Sequence, residues 1–205
     1  MRRFKPPSPR DTALTAVMTA ATTAVTMLIS VPFPPTRGYL NLGDVMVMLS
    51  GLLFGAGVGG FAGGVGSALS DALLGYGYFA PLTLLIKGIE GFLTGWIGNS
   101  KRFSMKAAGV TAGAIAMLVG YFSVEAPLYG VGPAFAELSL VNSVQVIVGG
   151  VVSLALGQAI LRTYPEIQFL KPRREGRIPS MVIVGVAALL LAVIVGVYLT
   201  TKISP

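Results

Sequence analysis

The chain reads as an all-α polytopic membrane protein, and three observations lead there. Across its 205 residues, 54% of side chains are hydrophobic and only 11% are charged, a balance that ordinary soluble domains do not carry. Apolar stretches of helical length follow one another with short Gly-, Pro- or Lys/Arg-rich connections between them. The basic residues fall in alternate connections, as the positive-inside rule requires of a chain that crosses a bilayer repeatedly.

The first apolar segment, 12–31, follows the basic tail MRRFKPPSPR. A secretory signal has the same order, but this stretch is long and ends in VPFPP rather than at a small-residue cleavage site, so it reads as a retained helix. Ala16, Ala20 and Ala24 recur every four residues and share one face. Small residues at that spacing let a second helix approach closely in lipid, either inside the bundle or from another subunit. Thr15, Thr19, Thr22, Thr23 and Thr26 line the same helix.

Segments 44–59 and 60–74 are short and glycine-rich, with their boundary expected at Gly59 and Gly60. The run of glycines from 51 to 66 lacks the lysine of a phosphate-binding loop and reads as close helix packing. Asp44, after Gly43, suits the N-cap of its helix. Segment 80–98 carries Lys87 and Glu90, three residues apart and able to pair locally, with Asp71 on the preceding helix as a candidate third member. An ionisable group at the centre of a spanning helix costs about 2.5–3.5 kcal/mol on insertion scales, so such residues face a partner or a cavity.

Segments 106–122 and 134–163 come next, the latter with a small-residue seam at Gly149, Ser153 and Gly157. Asn142 and Gln145 project from one face near its outer end, suited to an interhelical hydrogen bond or to a heterocyclic ligand. Glu125 and Glu137 flank a connection containing Pro127 and Pro133, where solvent exposure is enough to explain them. The last segment, 180–200, is the clearest single span in the chain.

With the N-terminus in the cytoplasm, 12 of the 15 Lys and Arg residues lie in segments placed inside. Seven spans would put the C-terminus outside. The net charge of +7 thus reads as topology, with anionic lipid as its partner rather than nucleic acid. Five of the seven tyrosines fall in or beside the outer connections, among them Tyr39, Tyr76 and Tyr121. An interfacial belt accounts for such aromatics singly; their excess on one side favours an aromatic-walled outward pocket. The chain has no cysteine and no histidine, which removes disulfides, thiolate metal sites and imidazole catalysis. No hydrolase, zinc-protease or nucleotide-loop motif is present, so no enzyme activity, cofactor or metal is expected.

Five motifs, NLGD (41–44), LLFG (52–55), GSALSD (66–71), GYGYFAPLT (75–83) and IKGIEG (86–91), together resemble the S component of an energy-coupling factor (ECF) vitamin transporter, most closely the riboflavin-type group. The resemblance is strong over 12–98 and compatible in helix count to about 163. It implies a six-helix substrate-binding bundle over 1–163, here followed by a basic cytoplasmic linker, 164–179, and an additional C-terminal transmembrane helix, 180–205. It further implies capture of a vitamin or heterocyclic precursor, riboflavin first, and delivery inward by toppling with a T subunit and two cytoplasmic ATPases in the plasma membrane. Ala16, Ala20 and Ala24 would dock on the T subunit, and residues 32–41 would close over the ligand. Candidate ligand contacts are Tyr39, Asn41, Asp44, Tyr76, Lys87, Glu90, Asn142 and Gln145. A stand-alone ion-coupled carrier using Asp71, Lys87 and Glu90 is the competing expectation.

Overall fold

The computed structural model describes residues 8–170. The expected seventh span and most of the basic linker lie outside them. Helix α1, Pro9–Leu28, starts with a reciprocal cap: the Asp11 N–H donates to Ser8 Oγ at 3.2 Å and the Ser8 N–H donates to the Asp11 carboxylate at 3.3 Å. Proline at its first position supplies a preset backbone angle where no donor is needed. After α1 the chain forms an antiparallel β-hairpin, β1 (Ser30–Phe33) and β2 (Gly38–Asn41), with Pro32 opposite Tyr39. The expected lid is therefore a paired ribbon of fixed register. Pro32 is tolerated because both strands of such a ribbon are edges.

Helix α2, Gly43–Phe54, breaks at Gly55, whose φ of 88° only glycine adopts without strain, and α3 runs Ala56–Leu74. This corrects the expected boundary: Gly59 and Gly60 are interior to α3. Helix α4 spans Ala80–Gly98 and α5 spans Phe103–Tyr129. The latter outruns its expected end at 122; Pro127 lacks the N–H that would bond back to the Ser123 carbonyl, and the helix ends just beyond it at Gly130, whose φ is 90°. Helix α6, Val131–Glu137, passes through a π-helical turn, Leu138–Asn142, into α7, Ser143–Thr163. A short 3-10 turn, Pro165–Leu170, follows.

Among the described residues the bundle has six rods, counting α6, the π turn and α7 as one. Glycine sets their spacing. A Cβ on Gly59 would lie 2.5 Å from the Gly91 carbonyl oxygen, and one on Gly109 would lie 2.6 Å from that of Thr94, so α3 meets α4 and α4 meets α5 backbone to backbone. Gly149 of α7 lies against Asp44 of α2, and Ser153 and Gly157 continue this buried seam. Between α1 and α3, Thr23 Oγ1 donates to the Gly66 carbonyl at 2.9 Å and Ser70 Oγ to that of Thr23 at 3.2 Å.

Two apolar clusters fill the interior, one around Met18, Leu49, Leu53 and Leu161, the other around Met48, Leu52, Ile86 and Met117. Outside, Phe61, Ile115, Ile147 and Val151 are each more than half exposed. Helix α5 and the rod 131–163 are long and apolar enough to cross a membrane. Lipid is the natural solvent of that surface.

Candidate functional site

At the hairpin end of the bundle lies a cavity of about 40 Å³, walled by residues of α1, β2, α3, α4, α5, α6 and the rod that follows. Its floor is an ion cluster. Lys87 Nζ donates to Asp44 Oδ1 and, at 3.0 Å, to Glu90 Oε2; none of the three residues is more than 4% exposed. Lys87 and Glu90 face each other because i and i+3 share a helix face. The third member is Asp44, from the first turn of α2, not the expected Asp71. Asp44 is accordingly not an N-cap; Leu42 holds that position with no side-chain bond, because the Asp44 carboxylate is drawn to the buried ammonium. Lys87 Nζ also sits 5.8 Å from the centre of the Tyr121 ring, within cation–π range.

The aromatic wall is built on the hairpin. Tyr39 stacks on Tyr76 with ring centres 4.5 Å apart, and its hydroxyl donates to Asp71 Oδ1 at 2.6 Å. Burial, reinforced by the adjacent Asp71 carboxylate, pushes the Tyr39 phenol well above its ordinary pKa, so it stays a neutral donor across the physiological range. Tyr76 supports Tyr39 from behind and does not line the cavity.

Opposite stands an amide chain. Gln145 Oε1 accepts from the Asn41 backbone N–H at 3.0 Å, Gln145 Nε2 donates to Asn142 Oδ1 at 3.2 Å, and Asn41 Oδ1 accepts from the Gly43 N–H at 2.8 Å. The π turn ends at Asn142, and such widened turns often mark functional positions in helices. Asn142 Nδ2 has no hydrogen-bond partner among the described residues.

Glu125 and Glu137, expected in solvent, are 1% and 3% exposed and line the cavity. The Thr36 hydroxyl donates to Glu137 Oε2, and the hairpin glycine Gly38 lies against the same carboxylate. Folding brings α5 and α6 together around the hairpin, and that tertiary closure removes both acids from water.

Of the eight expected ligand contacts, Tyr39, Asn41, Lys87, Asn142 and Gln145 line the cavity, Asp44 and Glu90 brace Lys87 beneath it, and Tyr76 backs Tyr39. Thr83, Glu125 and Glu137 line the cavity without being expected there, and Tyr121, expected only as one of the outer aromatics of a pocket wall, joins them. The spacing of Tyr121 and Glu125, four apart on one helix face, was the available signal. Thr83 Oγ1 and the Tyr121 hydroxyl lie 3.1 Å apart, joining α4 to α5 at the cavity wall.

Residues 7–162 match the family described as ECF-type riboflavin transporter, S component. The chain is 48% identical over 134 residues to a protein of Pyrococcus woesei known only by its position in a gap 3′ region, covering 63% of this chain and 90% of that one. It is 34% identical over 151 residues to the thiamine precursor transporter HmpT of Lactococcus lactis, 73% of this chain and 87% of the relative. A UPF0397 protein of Streptococcus agalactiae is 31% identical over 148 residues, covering 62% and 79% respectively.

Proposed function

Because the chain belongs to the ECF-type riboflavin transporter S-component family, we propose that it captures a vitamin or vitamin precursor at the outer face of the plasma membrane for an ATP-driven importer. The observation that carries this reading is the cavity under the hairpin, where polar side chains from several helices converge although nearly all of them are nine-tenths buried, Tyr121 being the exception. Polar groups are expensive in such a place and are retained where they hold something.

The cargo is a flat heteroaromatic ring, taken between the tyrosine platform and the Asn142–Gln145 amides. Riboflavin, for which the family is named, and the thiamine precursor named for one relative are the cargos that frame the choice. At about 40 Å³ the cavity accommodates a few water molecules and not a ring system, so admission requires the hairpin to lift. The Tyr39–Asp71 hydrogen bond is one latch between hairpin and bundle, beside those of Thr36 with Glu137 and Asn41 with Gln145.

A T subunit and two ATPases complete the transporter. Ala16, Ala20 and Ala24 all lie on the exposed face of α1, which suits them to dock on the T subunit. The N-terminus is cytoplasmic: Lys101, Lys106 and Arg162 gather around a cleft of about 480 Å³ away from the hairpin, the arrangement that positive-inside topology favours.

Reconstitution tests the reading. Proteoliposomes holding this chain with a T subunit and ATPases should take up labelled cargo only with ATP, while the chain alone should bind it and not transport it. Uptake by the chain alone, driven by an ion gradient, would replace the reading with a secondary carrier.

A further inference from the structure

The end of the bundle opposite the hairpin carries positive charge that the fold does not neutralise. A cleft of about 480 Å³ lies there, where the connection after α4 and the first turn of α5 meet the last turns of α7. Lys101, Lys106 and Arg162 line it with Ser100 and Gln158, and no carboxylate of the described residues does. Among the described residues every ion pair belongs to Lys87, so these three cations have no counter-charge.

Lys106 makes the cleft a site rather than a basic patch. The residue is 5% exposed, and its ammonium, which carries three donors, makes one hydrogen bond, to Gln158 Oε1 at 2.9 Å. An ammonium buried with only a neutral amide for partner is costly. Its position adds to the cost. Lys106 closes the first turn of α5, near the positive end of the helix dipole, with Arg102 at the N-cap and neither a capping side chain nor a first-turn acid to compensate. Helix α1 meets the same need from within, through Ser8 and Asp11. Close packing fixes the arrangement: a Cβ on Gly98 of α4 would stand 3.6 Å from Lys106 Cα, so α5 begins at a set distance from α4.

The surroundings of the cleft are amphipathic. Phe103 and Tyr164, which flank its cations in sequence, are 55% and 59% exposed. Aromatic rings beside cations suit the headgroup level of a bilayer. Met105 and Leu156 extend exposed apolar surface along the same two helices. An anion that also carries acyl chains uses both features, whereas a free phosphate uses only the cations.

We propose that this cleft binds the phosphate headgroup of an anionic phospholipid, held by Lys101, Lys106 and Arg162, with its acyl chains along the outer faces of α5 and α7. One lipid at a defined place differs from a diffuse attraction of basic loops to the leaflet, and it anchors this end of the bundle. The inference rests on the reading of this end as the cytoplasmic one and not on the cargo, since cleft and cavity share no residue.

Native mass spectrometry of the full chain in detergent tests the site, with equimolar phosphatidylglycerol and phosphatidylcholine of matched acyl chains supplied. The first lipid retained should be phosphatidylglycerol, by at least about tenfold. Each cation near the headgroup contributes about fivefold, so Lys106→Gln should lower the preference by that factor while keeping a donor for Gln158. Arg10→Gln removes an exposed cation at the start of α1, outside the cleft, and should leave the preference unchanged. Should Lys106→Gln fail to fold, the exposed pair Lys101→Gln and Arg162→Gln reads the same quantity.

Equal retention of the two lipids, or an equal loss from Arg10→Gln and Lys106→Gln, overturns the inference and leaves a diffuse basic surface. Displacement of phosphatidylglycerol by millimolar inorganic phosphate overturns the lipid as the source of the anion. An undiminished lipid preference in variants that no longer co-purify with a T subunit and ATPases overturns it in favour of an acidic protein partner. None of these outcomes bears on the transporter reading, which reconstitution decides separately.

Discussion

Lys87 is the residue on which the most electrostatic weight rests. Two carboxylates hold it in a site closed to solvent, and each of the three charges is tolerable only because the others are there. Lys87→Met should therefore cost about 3–5 kcal/mol, the usual penalty for orphaning buried charge, and lower the melting temperature in detergent sharply. Asp44→Asn in the same chain should recover part of that loss, because one orphaned carboxylate is then removed; strict additivity of the two losses would show that the pair does not act as a unit. Tyr39 separates two contributions. Tyr39→Phe keeps the stack on Tyr76 and removes the hydroxyl that donates to Asp71, a bond to a charged acceptor worth about 1.5–3 kcal/mol. The expected result is faster release of cargo and a dissociation constant raised by about tenfold or more, measured on detergent-solubilised protein. Both residues were legible as candidates in the sequence. Glu125 and Glu137 were not, because a carboxylate beside a Pro-containing connection has the same local sequence whether a neighbouring hairpin covers it or water does.

At the scale of elements, the helices owe their contacts to glycine, and the individual glycines do different work. Gly91 meets the Gly59 carbonyl across the α3–α4 contact, and neither backbone has room to yield. Gly91→Ala should lower stability by about 1–3 kcal/mol through overpacking. Gly57, in the first turn of α3, has nothing within 4 Å of where a Cβ would stand. Gly57→Ala should be neutral or stabilise by up to about 1 kcal/mol from helix propensity alone. Parallel thermal melts of the two variants check the pair, and similar losses in both would mean that propensity rather than packing governs this contact. That the glycine-rich run packs helices was legible from composition. Which glycine ends a helix was not: Gly55 and Gly59 sit in similar apolar surroundings, and only the backbone path gives Gly55 its positive φ. The hairpin was likewise legible as a segment, through its prolines and its position between two spans, while its strand register arose from pairing across the turn.

At the scale of the whole molecule, the two ends of the bundle differ in chemistry. The hairpin end gathers tyrosines, amides and carboxyls around the cavity, and Lys101, Lys106 and Arg162 flank a cleft lined by the residues that follow α4 and those at the end of α7. The small-residue face of α1 remains exposed between them. Ala20→Trp places a large ring on that face without touching the cavity. It should abolish assembly with the T subunit and ATP-driven uptake, with cargo affinity nearly unchanged; co-purification and a binding isotherm on the same preparation check both halves. A large loss of affinity would return α1 to a role inside the ligand-binding bundle.

The sequence by itself determined that this is a helical membrane protein, where most of its helices lie, and that Lys87 and Glu90 within a span needed partners. Hydropathy and residue spacing are local properties, and the bilayer and the helix read them locally. Only the tertiary structure decided which charges meet. Asp44 reaches Lys87 across 43 positions of sequence, Tyr39 bonds Asp71 across 32, and Thr36 bonds Glu137 across 101. These pairings depend on how closely glycine lets the rods approach and on where the hairpin closes over them. A buried carboxylate finds its partner by distance in space, which no spacing along the chain encodes.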